Sequence, residues 1–362
     1  MEKDKEKKSD NWSYIASKWK KSVLSLKEYL LTDTHEEPAS SSFSYASLHL
    51  PMQDYTHATQ LKEKLLLQYQ SKCCDEVFPG EICTNDYGQC YHIVTRMPFS
   101  TSFVQQKKWE QILEHLELIP GIGPITRQKL YEEGYGSIKD LCAHSRFQTS
   151  AEKFMNHFEQ GSLHDLHQWM SQRLHRSHPA WVKLMTMSPP QSWAFMDIET
   201  LGLFSRPIIL IGAGQVEDNE LVIHQWLVRD IEEEACALME YAQWVQDKQF
   251  LVTFNGQRFD IPYLQDRWSY YGIRSSSHCY SLDMLYHSRS KWKQTLPNCK
   301  LQTIEQAILH KQRSEDVPGA LVPEFYQAYL QTGNLGPMVP IVTHNQVDIA
   351  SLAELSVKLY EQ

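Results

Sequence analysis

Short apolar runs separated by polar turns follow one another through the second half of the chain. The first begins at Trp193, is interrupted only by two carboxylates and ends near Gly202, which predicts a buried strand that enters a turn. Further runs predict strands over 207–215, 221–228, 250–254 and 279–285, and helices over 231–245, 263–271 and from 343 onward. Strands that lead into helices indicate a mixed α/β layer.

Helical spacing predominates in the first half. It predicts a helix over 55–70, a β-hairpin over 77–97 and a helical, His- and Arg-rich stretch over 154–187. The consecutive prolines Pro189 and Pro190 then mark a domain boundary. We expect three parts: a basic arm and Ser-rich linker over 1–46, a smaller, mainly helical N-terminal region over 47–190, and an α/β domain over 191–362.

Within the N-terminal region, the interval 109–144 contains a tight turn over 118–124 between two segments of helical spacing. The apolar residues expected to pack its second and third helices together are Leu130, Ile138 and Leu141.

This interval resembles a helix-hairpin-helix module. In such a module Gly121 and Gly123 would let backbone N–H groups at a helix start approach a phosphate. A small residue is usual where Arg127 stands here, although a long cation could itself reach a phosphate. The alternative is a helical hairpin that serves only packing.

Composition describes an ordinary folded protein, with 42% hydrophobic and 22% charged residues among 362. No apolar run approaches the roughly 18 residues of a membrane span, so we expect a cytoplasmic protein. Its eight cysteines are expected to be free thiols, because a chain of this size does not need disulfides. The cluster from Cys73 to Cys90 could hold zinc, but it lacks the Cys-x-x-Cys spacing typical of such sites.

The formal charge of −9 opposes binding to nucleic acid, and most of it lies in residues 191–362, which carry a net −8. Bound cations would offset part of that charge, and phosphate binding depends on local clusters of positive charge more than on the total. One such cluster is the N-terminal arm over 1–31, with eight lysines among aromatic residues. It could bind phosphates or remain a solvated arm.

Two carboxylates, Asp197 and Glu199, interrupt the first apolar run of the second half. Side chains alternate across a strand, so residues two apart point to the same face. Like charges side by side on a mostly buried strand repel each other and are poorly solvated, and a divalent cation would explain their presence. The alternative is an acidic strand end whose carboxylates lie in solvent.

Three further polar residues stand at the ends of predicted elements. Asp260 lies near the start of the helix that follows the strand 250–254, where a carboxylate could be only a helix cap. His344 and Asp348 lie four apart in the terminal helix and therefore project together.

Together these motifs resemble those of the DEDD exonuclease superfamily, which has a ribonuclease-H-like mixed sheet flanked by helices. The Asp-x-Glu on a strand, the Asn-x-x-x-Phe-Asp that ends at Asp260, and the His344-Asn345-x-x-Asp348 motif occur in the expected order. Two further segments resemble the YprB-like branch of this superfamily: Leu282-Asp283-Met284-Leu285 and Asp316-Val317-Pro318-Gly319. The resemblance covers roughly 193–359.

The resemblance implies two Mg²⁺ or Mn²⁺ ions, which prefer oxygen ligands. Asp197 would bridge the ions, Glu199 and Asp348 would hold the ion beside the nucleophilic water, and Asp260 would support the other. His344 would take the proton of the water. Most relatives have Tyr at this spacing, or His one residue earlier, so the identity of the base is less defined than that of the ligands.

Other residues could hold the substrate. Asn255 and Phe259 lie near the second motif and would contact the terminal nucleotides. A basic stretch with an aromatic residue, formed by Arg289, Lys291, Trp292 and Lys293, could contact phosphates and stack a base. An ordinary solvated loop is the alternative for that stretch.

These inferences predict a metal-dependent 3′–5′ exonuclease that acts on DNA or RNA. Two other functions stay open at this point: a non-catalytic nucleic-acid-binding scaffold that keeps the fold, and an endonuclease that uses the same site.

Overall fold

The computed structural model describes residues 52–102, 104, 108–202, 205–275, 278–313 and 317–361. The predicted basic arm and Ser-rich linker lie outside the described residues. So does Asp316 of the motif at 316–319.

One mixed sheet of seven strands forms the centre of the molecule, in the order β1-β2-β5-β4-β3-β6-β7. Its strands are β1 Gly80–Asn85, β2 Gly88–Pro98, β3 Trp193–Thr200, β4 Ile208–Glu217, β5 Glu220–Leu227, β6 Phe250–Thr253 and β7 Tyr280–Asp283. Across the sheet, the five strands β1, β2, β5, β4 and β3 are each antiparallel to their neighbours in that row, whereas β3, β6 and β7 are parallel to one another. The α/β ribonuclease-H-like fold expected from the sequence is confirmed.

Thirteen helices of the described chain surround this sheet. In the first half they are α1 Met52–Gln68, α2 Cys74–Val77, α3 Pro124–Glu132, α4 Ile138–Leu141, α5 Gln148–Glu159, α6 Leu163–Ser171 and α7 Ala180–Met185. In the second half they are α8 Glu234–Trp244, α9 Asp260–Tyr271, α10 Met284–Trp292, α11 Leu301–Ala307, α12 Val322–Thr332 and α13 Met338–Tyr360. In the second half the structure thus adds α10, α11 and α12 to the predicted helices.

The β-hairpin that the sequence placed in the N-terminal region belongs to the sheet of the second half. Strand β2 pairs with β5 from Tyr91 opposite Leu227 to Pro98 opposite Glu220. This pairing gives β5 a hydrogen-bonded neighbour on the side away from β4, so that β5 is not an exposed edge. The sheet therefore crosses the domain boundary predicted at Pro189 and Pro190.

Helices cover both faces of the sheet. Strand β3 alternates, so that Phe195 joins the core cluster that contains Ile349 of α13, while Met196 joins the cluster that contains Leu238 of α8. Helix α13 packs against β3, β4 and β5, and α8 packs against β1, β2, β4 and β5. Because Asp197 is one residue beyond Met196, its side chain lies on the face that α13 covers.

A buried ion pair connects α8 to α9. Arg267 donates from Nε and Nη2 to the two carboxylate oxygens of Glu234 at 2.7 and 2.6 Å. The same carboxylate accepts hydrogen bonds from the hydroxyl of Tyr271 at 2.8 Å and from the backbone N–H of Ile208 at 2.9 Å. Four donors therefore satisfy a carboxylate that is fully buried.

We expect His287→Leu to make stability less dependent on pH. Burial, followed by the charge on His178, lowers the pKa of His287 from 6.5 to about 4. As the pH falls below 6.5, His287 takes up a proton in the unfolded chain but not yet in the folded protein. The folded state therefore loses stability as the pH falls from about 6.5 to about 4. The variant lacks this penalty, which amounts to about 2 kcal/mol at pH 5.

Urea unfolding at pH 7.5 and pH 5 measures this effect as the change in free energy of unfolding for each protein. The fold tolerates leucine at this position because Nε2 of His287 is buried without a hydrogen-bond partner. Equal pH dependence in the two proteins would contradict the assignment of a neutral, buried imidazole.

Candidate active site

Strand β3 presents both predicted carboxylates on one face, as the alternation required. Asp197 is half-buried and Glu199 is 8% exposed. Opposite Asp197 on β4 lies Gly212, and a β-bulge follows at Glu199 and Thr200. The pair therefore lies toward the end of a central strand.

Asn345 of α13 fixes the orientation of Asp197. Its Nδ2 donates to Asp197 Oδ2 at 2.9 Å and to the backbone carbonyl of Asp197 at 3.0 Å. Its Oδ1 accepts from Gln225 Nε2 at 2.9 Å. This contact brings α13 so close to the sheet that a Cβ on Gly212 would lie 2.0 Å from Asn345 Oδ1. Only glycine fits at position 212.

Replacing Gly212 by alanine is therefore expected to displace Asn345 and loosen Asp197. Overpacking of this kind costs about 1–3 kcal/mol of folding stability, and it should also lower any activity that depends on the position of Asp197. Urea unfolding and a cleavage assay measure the two effects. Gly319→Ala is the matched control, because no atom lies within 4 Å of a Cβ built there. Equal behaviour of the two variants would contradict this role of Gly212.

Asp260 is the first residue of α9 and reaches back to β3. Its Oδ1 accepts a hydrogen bond from the backbone N–H of Ile198 at 3.2 Å. Burial, reinforced by the charges of Asp283 and Asp348, raises the pKa of Asp260 to about 7, although backbone hydrogen bonds oppose the shift. The sharp turn before α9 is made by Asn255, whose φ of +66° is left-handed. Asp260 is thus more than a helix cap.

His344 and Asp348 lie one turn apart on α13, with 3.6 Å between His344 Nε2 and Asp348 Oδ2. The guanidinium of Arg313 donates to the other oxygen of Asp348 and lies 3.1 Å from His344 Nδ1. Arg313 also makes two hydrogen bonds, of 2.6 and 2.7 Å, to the buried Glu305. Burial raises the pKa of Asp348, and the positive charges of His344 and Arg313 oppose that shift.

Electrostatics connects the four carboxylates. Burial raises the pKa of Asp197 well above its ordinary value, and the charges of Asp348, Asp260 and Glu199 raise it further. Such coupling requires the four groups to share one poorly solvated pocket. Two sets of three possible metal ligands in the described chain have ligand atoms that all lie within 4.8 Å of one another. Neither set includes any of these carboxylates. No three of the four carboxylates are this close together, and Arg313 contacts one of them.

The four side chains nevertheless fit a hard divalent cation in chemistry, because all offer carboxylate oxygens. Their mutual repulsion, visible in the raised pKa of Asp197, is the kind of charge that a cation relieves.

Sequence reasoning missed several residues around this site. Asn345 and Arg313 contact the predicted residues directly, and Glu305 holds Arg313. Asp283 accepts hydrogen bonds from the backbone N–H groups of Asn255 and Gln257 at 2.8 and 3.3 Å. The sequence pattern could have indicated Asn345, since it precedes Asp348 by three residues and helical residues three apart share a face. Arg313 and Glu305 had none.

The predicted substrate-binding residues have different surroundings. Arg289, Lys291 and Lys293 are exposed around the end of α10, so the basic stretch is helical rather than a loop up to Trp292. Trp292 is only 8% exposed and packs in the core, and its stacking on a base stays a prediction. Its helical spacing turns it away from the exposed lysines on either side. Phe259 is half-buried, 5.3 Å from the ring of Tyr263.

The interval 109–144 is a short helical hairpin. Its first segment consists of 3₁₀ turns at Lys108–Glu114 and Leu116–Leu118 rather than an α-helix. Gly121 adopts a left-handed φ of +85° before α3, whereas Gly123 has φ −99° and is the N-cap of α3. The apolar residues expected to pack the hairpin, Leu130, Ile138 and Leu141, are all buried.

Arg127 contacts Glu117, with 3.4 Å between Nη1 and Oε1. The same Glu117 Oε1 lies 3.6 Å from His115 Nδ1 and 3.3 Å from His178 Nε2. Burial would raise the pKa of Glu117, but hydrogen bonds from the two histidines lower it on balance. His178 thus belongs to a polar cluster with Glu117, His115 and Arg127.

Comparison with known proteins identifies the superfamily of the domain in the second half of the chain. Residues 194–360 match the sequence model of the family described as the RNase_H superfamily, and this part of the chain is a domain of that superfamily. Over 170 residues the chain is 28% identical to "Uncharacterized protein YprB" of Bacillus subtilis (strain 168), an alignment that covers 46% of this chain and 41% of the relative. The chain therefore spans less than half the length of that curated relative.

Among solved structures, the family B DNA polymerase from the hyperthermophilic archaeon Pyrobaculum calidifontis aligns with a TM-score of 0.38 and 18% identity, over 47% of this chain and 25% of the polymerase. Within the described residues, no helix combines the length and the apolar character needed to cross a bilayer.

Proposed function

We propose that the protein is a metal-dependent 3′–5′ exonuclease of the cytoplasm that hydrolyses phosphodiester bonds of DNA or RNA, and that residues 191–362 carry this activity. The observation that supports it most is that β3, α9 and α13 bring four carboxylates together: burial raises the pKa of Asp197, and the charges of Asp348, Asp260 and Glu199 raise it further. A purely structural role does not account for four carboxylates that share one pocket, because their repulsion costs stability.

Asp197, Glu199, Asp260 and Asp348 would hold two Mg²⁺ or Mn²⁺ ions. When bound, such ions activate water and stabilise the charge of the leaving oxygen. The remaining steps belong to residues of the chain. Asn345 orients Asp197 through its 2.9 Å hydrogen bond, and the backbone N–H of Ile198 fixes Asp260.

His344 would accept the proton of the attacking water, since its imidazole Nε2 lies 3.6 Å from Asp348 Oδ2. Arg313 supplies positive charge at the same place and is suited to a phosphate oxygen. Around the site, the exposed Arg289, Lys291 and Lys293 would contact the backbone of the substrate. Asn255 and Phe259 would contact its last nucleotides.

The hairpin over 109–144 would bind the nucleic-acid backbone as a helix-hairpin-helix. Gly121 and Gly123 precede α3, whose first N–H groups could donate to a phosphate. Arg127 would have to exchange Glu117 for that phosphate. Such contacts would hold substrate without reading its sequence.

End-labelled and circular substrates separate the possible activities. With Mg²⁺, purified protein should convert 5′-labelled oligonucleotides to a ladder that shortens from the 3′ end and should leave circles intact. Matched DNA and RNA oligonucleotides then define the substrate. Cleavage of circular substrates would identify an endonuclease that uses the same site. Absence of cleavage with either Mg²⁺ or Mn²⁺ would contradict the proposal.

The ion pair between Arg313 and Asp348 favours a second candidate, a non-catalytic scaffold that binds nucleic acid. An arginine that permanently neutralises Asp348 would exclude a cation from that carboxylate. Calorimetric titration with Mn²⁺ distinguishes the two, because the exonuclease binds the ion with carboxylate-dependent affinity and the scaffold does not.

A further inference from the structure

A group of three cysteines lies away from the carboxylate site, where the hairpin β1–β2 meets α8. Cys83 and Cys90 are direct partners across the two strands, and Cys236 lies on α8. Each pair of their sulfur atoms is within 4.8 Å, and the sulfurs of Cys83 and Cys90 are 3.1 Å apart. Of the cluster expected from the sequence, Cys73 and Cys74 take no part, because they lie at α2 before the hairpin begins.

The three sulfurs form a pocket with one side toward solvent. Cys90 and Cys236 are fully buried, whereas Cys83 is half-buried. Cys83 Sγ donates to the carbonyl of Cys90 at 3.7 Å, and Cys236 Sγ donates to the carbonyl of Cys83 at 3.8 Å. Cys83 thus carries the sulfur that solvent can reach, and thiolate is the form of cysteine that binds metal.

Polar groups suited to a ligand set surround the sulfurs. His92 follows Cys90 by two residues, so it lies on the same face of β2. Glu240 lies one turn after Cys236 on α8, where Asn85 Nδ2 donates to its carboxylate at 2.8 Å and to the carbonyl of Cys236 at 3.2 Å. The hairpin and α8 are therefore already held together around this pocket by hydrogen bonds.

Spacing between the sulfurs suits a cation. Around a tetrahedral zinc ion with Zn–S of about 2.3 Å, sulfurs lie about 3.8 Å apart, between the observed 3.1 Å and the limit of 4.8 Å. A disulfide would need sulfurs about 2.05 Å apart. Three soft sulfurs also select against the hard cations proposed for the carboxylates.

We propose that Cys83, Cys90 and Cys236 form a structural site for a soft divalent cation, Zn²⁺, which clips the hairpin β1–β2 onto α8. Binding converts three thiols to thiolates and releases their protons. The site lies on the α8 face of the sheet, opposite the face that carries Asp197, and is independent of the nuclease proposal.

Metal analysis and X-ray absorption of the full-length protein test the proposal. Protein purified with a thiol reductant should contain one equivalent of zinc, and its absorption fine structure should require three sulfur ligands. Cobalt substitution should produce a sulfur-to-metal charge-transfer band. Zinc bound through nitrogen and oxygen alone would overturn the proposal and would point to His115, Glu117 and His178 instead.

Variants complete the test. Cys90→Ser and Cys236→Ser should lose the zinc and the cobalt band, while the matched controls Cys73→Ser and Cys279→Ser keep both. Should the two buried variants fail to fold, titration of wild-type protein with an organomercurial should release the zinc as three thiols react. Protein without zinc after reconstitution, or a mass two units low from a bond between Cys83 and Cys90, would overturn the proposal.

Discussion

Asp197→Asn should lower the rate of cleavage by about a thousandfold or more, because one neutral oxygen replaces the carboxylate on which both proposed ions depend. The substitution keeps the shape of the side chain and an acceptor for Asn345 Nδ2. The same change should increase the free energy of unfolding at neutral pH. Burial and three neighbouring carboxylates raise the pKa of Asp197, so its charge opposes folding there.

The opposite signs of these two effects make the prediction specific. Single-turnover cleavage and urea unfolding, measured on one preparation, give both. Asp266→Asn is the matched control, since Asp266 is exposed on α9 and should leave both quantities unchanged. A variant at Asp197 that keeps more than about a tenth of the wild-type rate would contradict the metal assignment.

Arg267→Met should lower the free energy of unfolding by about 3–5 kcal/mol, because it leaves the carboxylate of Glu234 buried without a positive charge. Arg267 and Glu234 are 1% and 0% exposed, so water cannot replace the lost partner. Two hydrogen bonds, from Tyr271 and from the backbone of Ile208, would remain on that carboxylate. They satisfy its oxygens without neutralising it.

A double variant separates lost packing from the unpaired charge. Adding Glu234→Gln to Arg267→Met should recover part of the stability, since the amide oxygen still accepts from Tyr271 or Ile208 and carries no charge. Exposed Arg274, replaced by Met, should change stability by about 0.5 kcal/mol or less. The midpoint of urea unfolding at constant slope measures each value. No recovery in the double variant would show that packing, rather than charge, accounts for the loss.

Local periodicity determined much of the fold from the sequence. The alternation in β3 put Asp197 and Glu199 on one face, and the four-residue spacing in α13 put His344 beside Asp348. Such patterns are properties of a few consecutive dihedral angles, so they can be predicted without knowing what packs against the element. They were sufficient to predict a mixed α/β layer and the order of its strands along the chain, whereas the ribonuclease-H-like fold was implied by the resemblance of the motifs.

Element boundaries were less determined. Helix α13 begins at Met338, five residues before the predicted position, because Pro340 is tolerated in a first turn where no intrahelical N–H donor is required. Trp292 looked like part of a basic surface in sequence, yet it packs into the core, because burial depends on which side of α10 faces the sheet.

Contacts between distant segments were decided by the tertiary structure alone. Asn345 reaches Asp197 across 148 positions of chain, and Arg313 reaches Asp348 from a loop that has no periodicity. Cys236 meets Cys83 only because β2 pairs with β5 and brings the hairpin under α8. The sequence thus determined which side chains each element presents on each face. Packing between elements decided which of those side chains come into contact, because the energy of such contacts depends on the whole fold rather than on local dihedral preference.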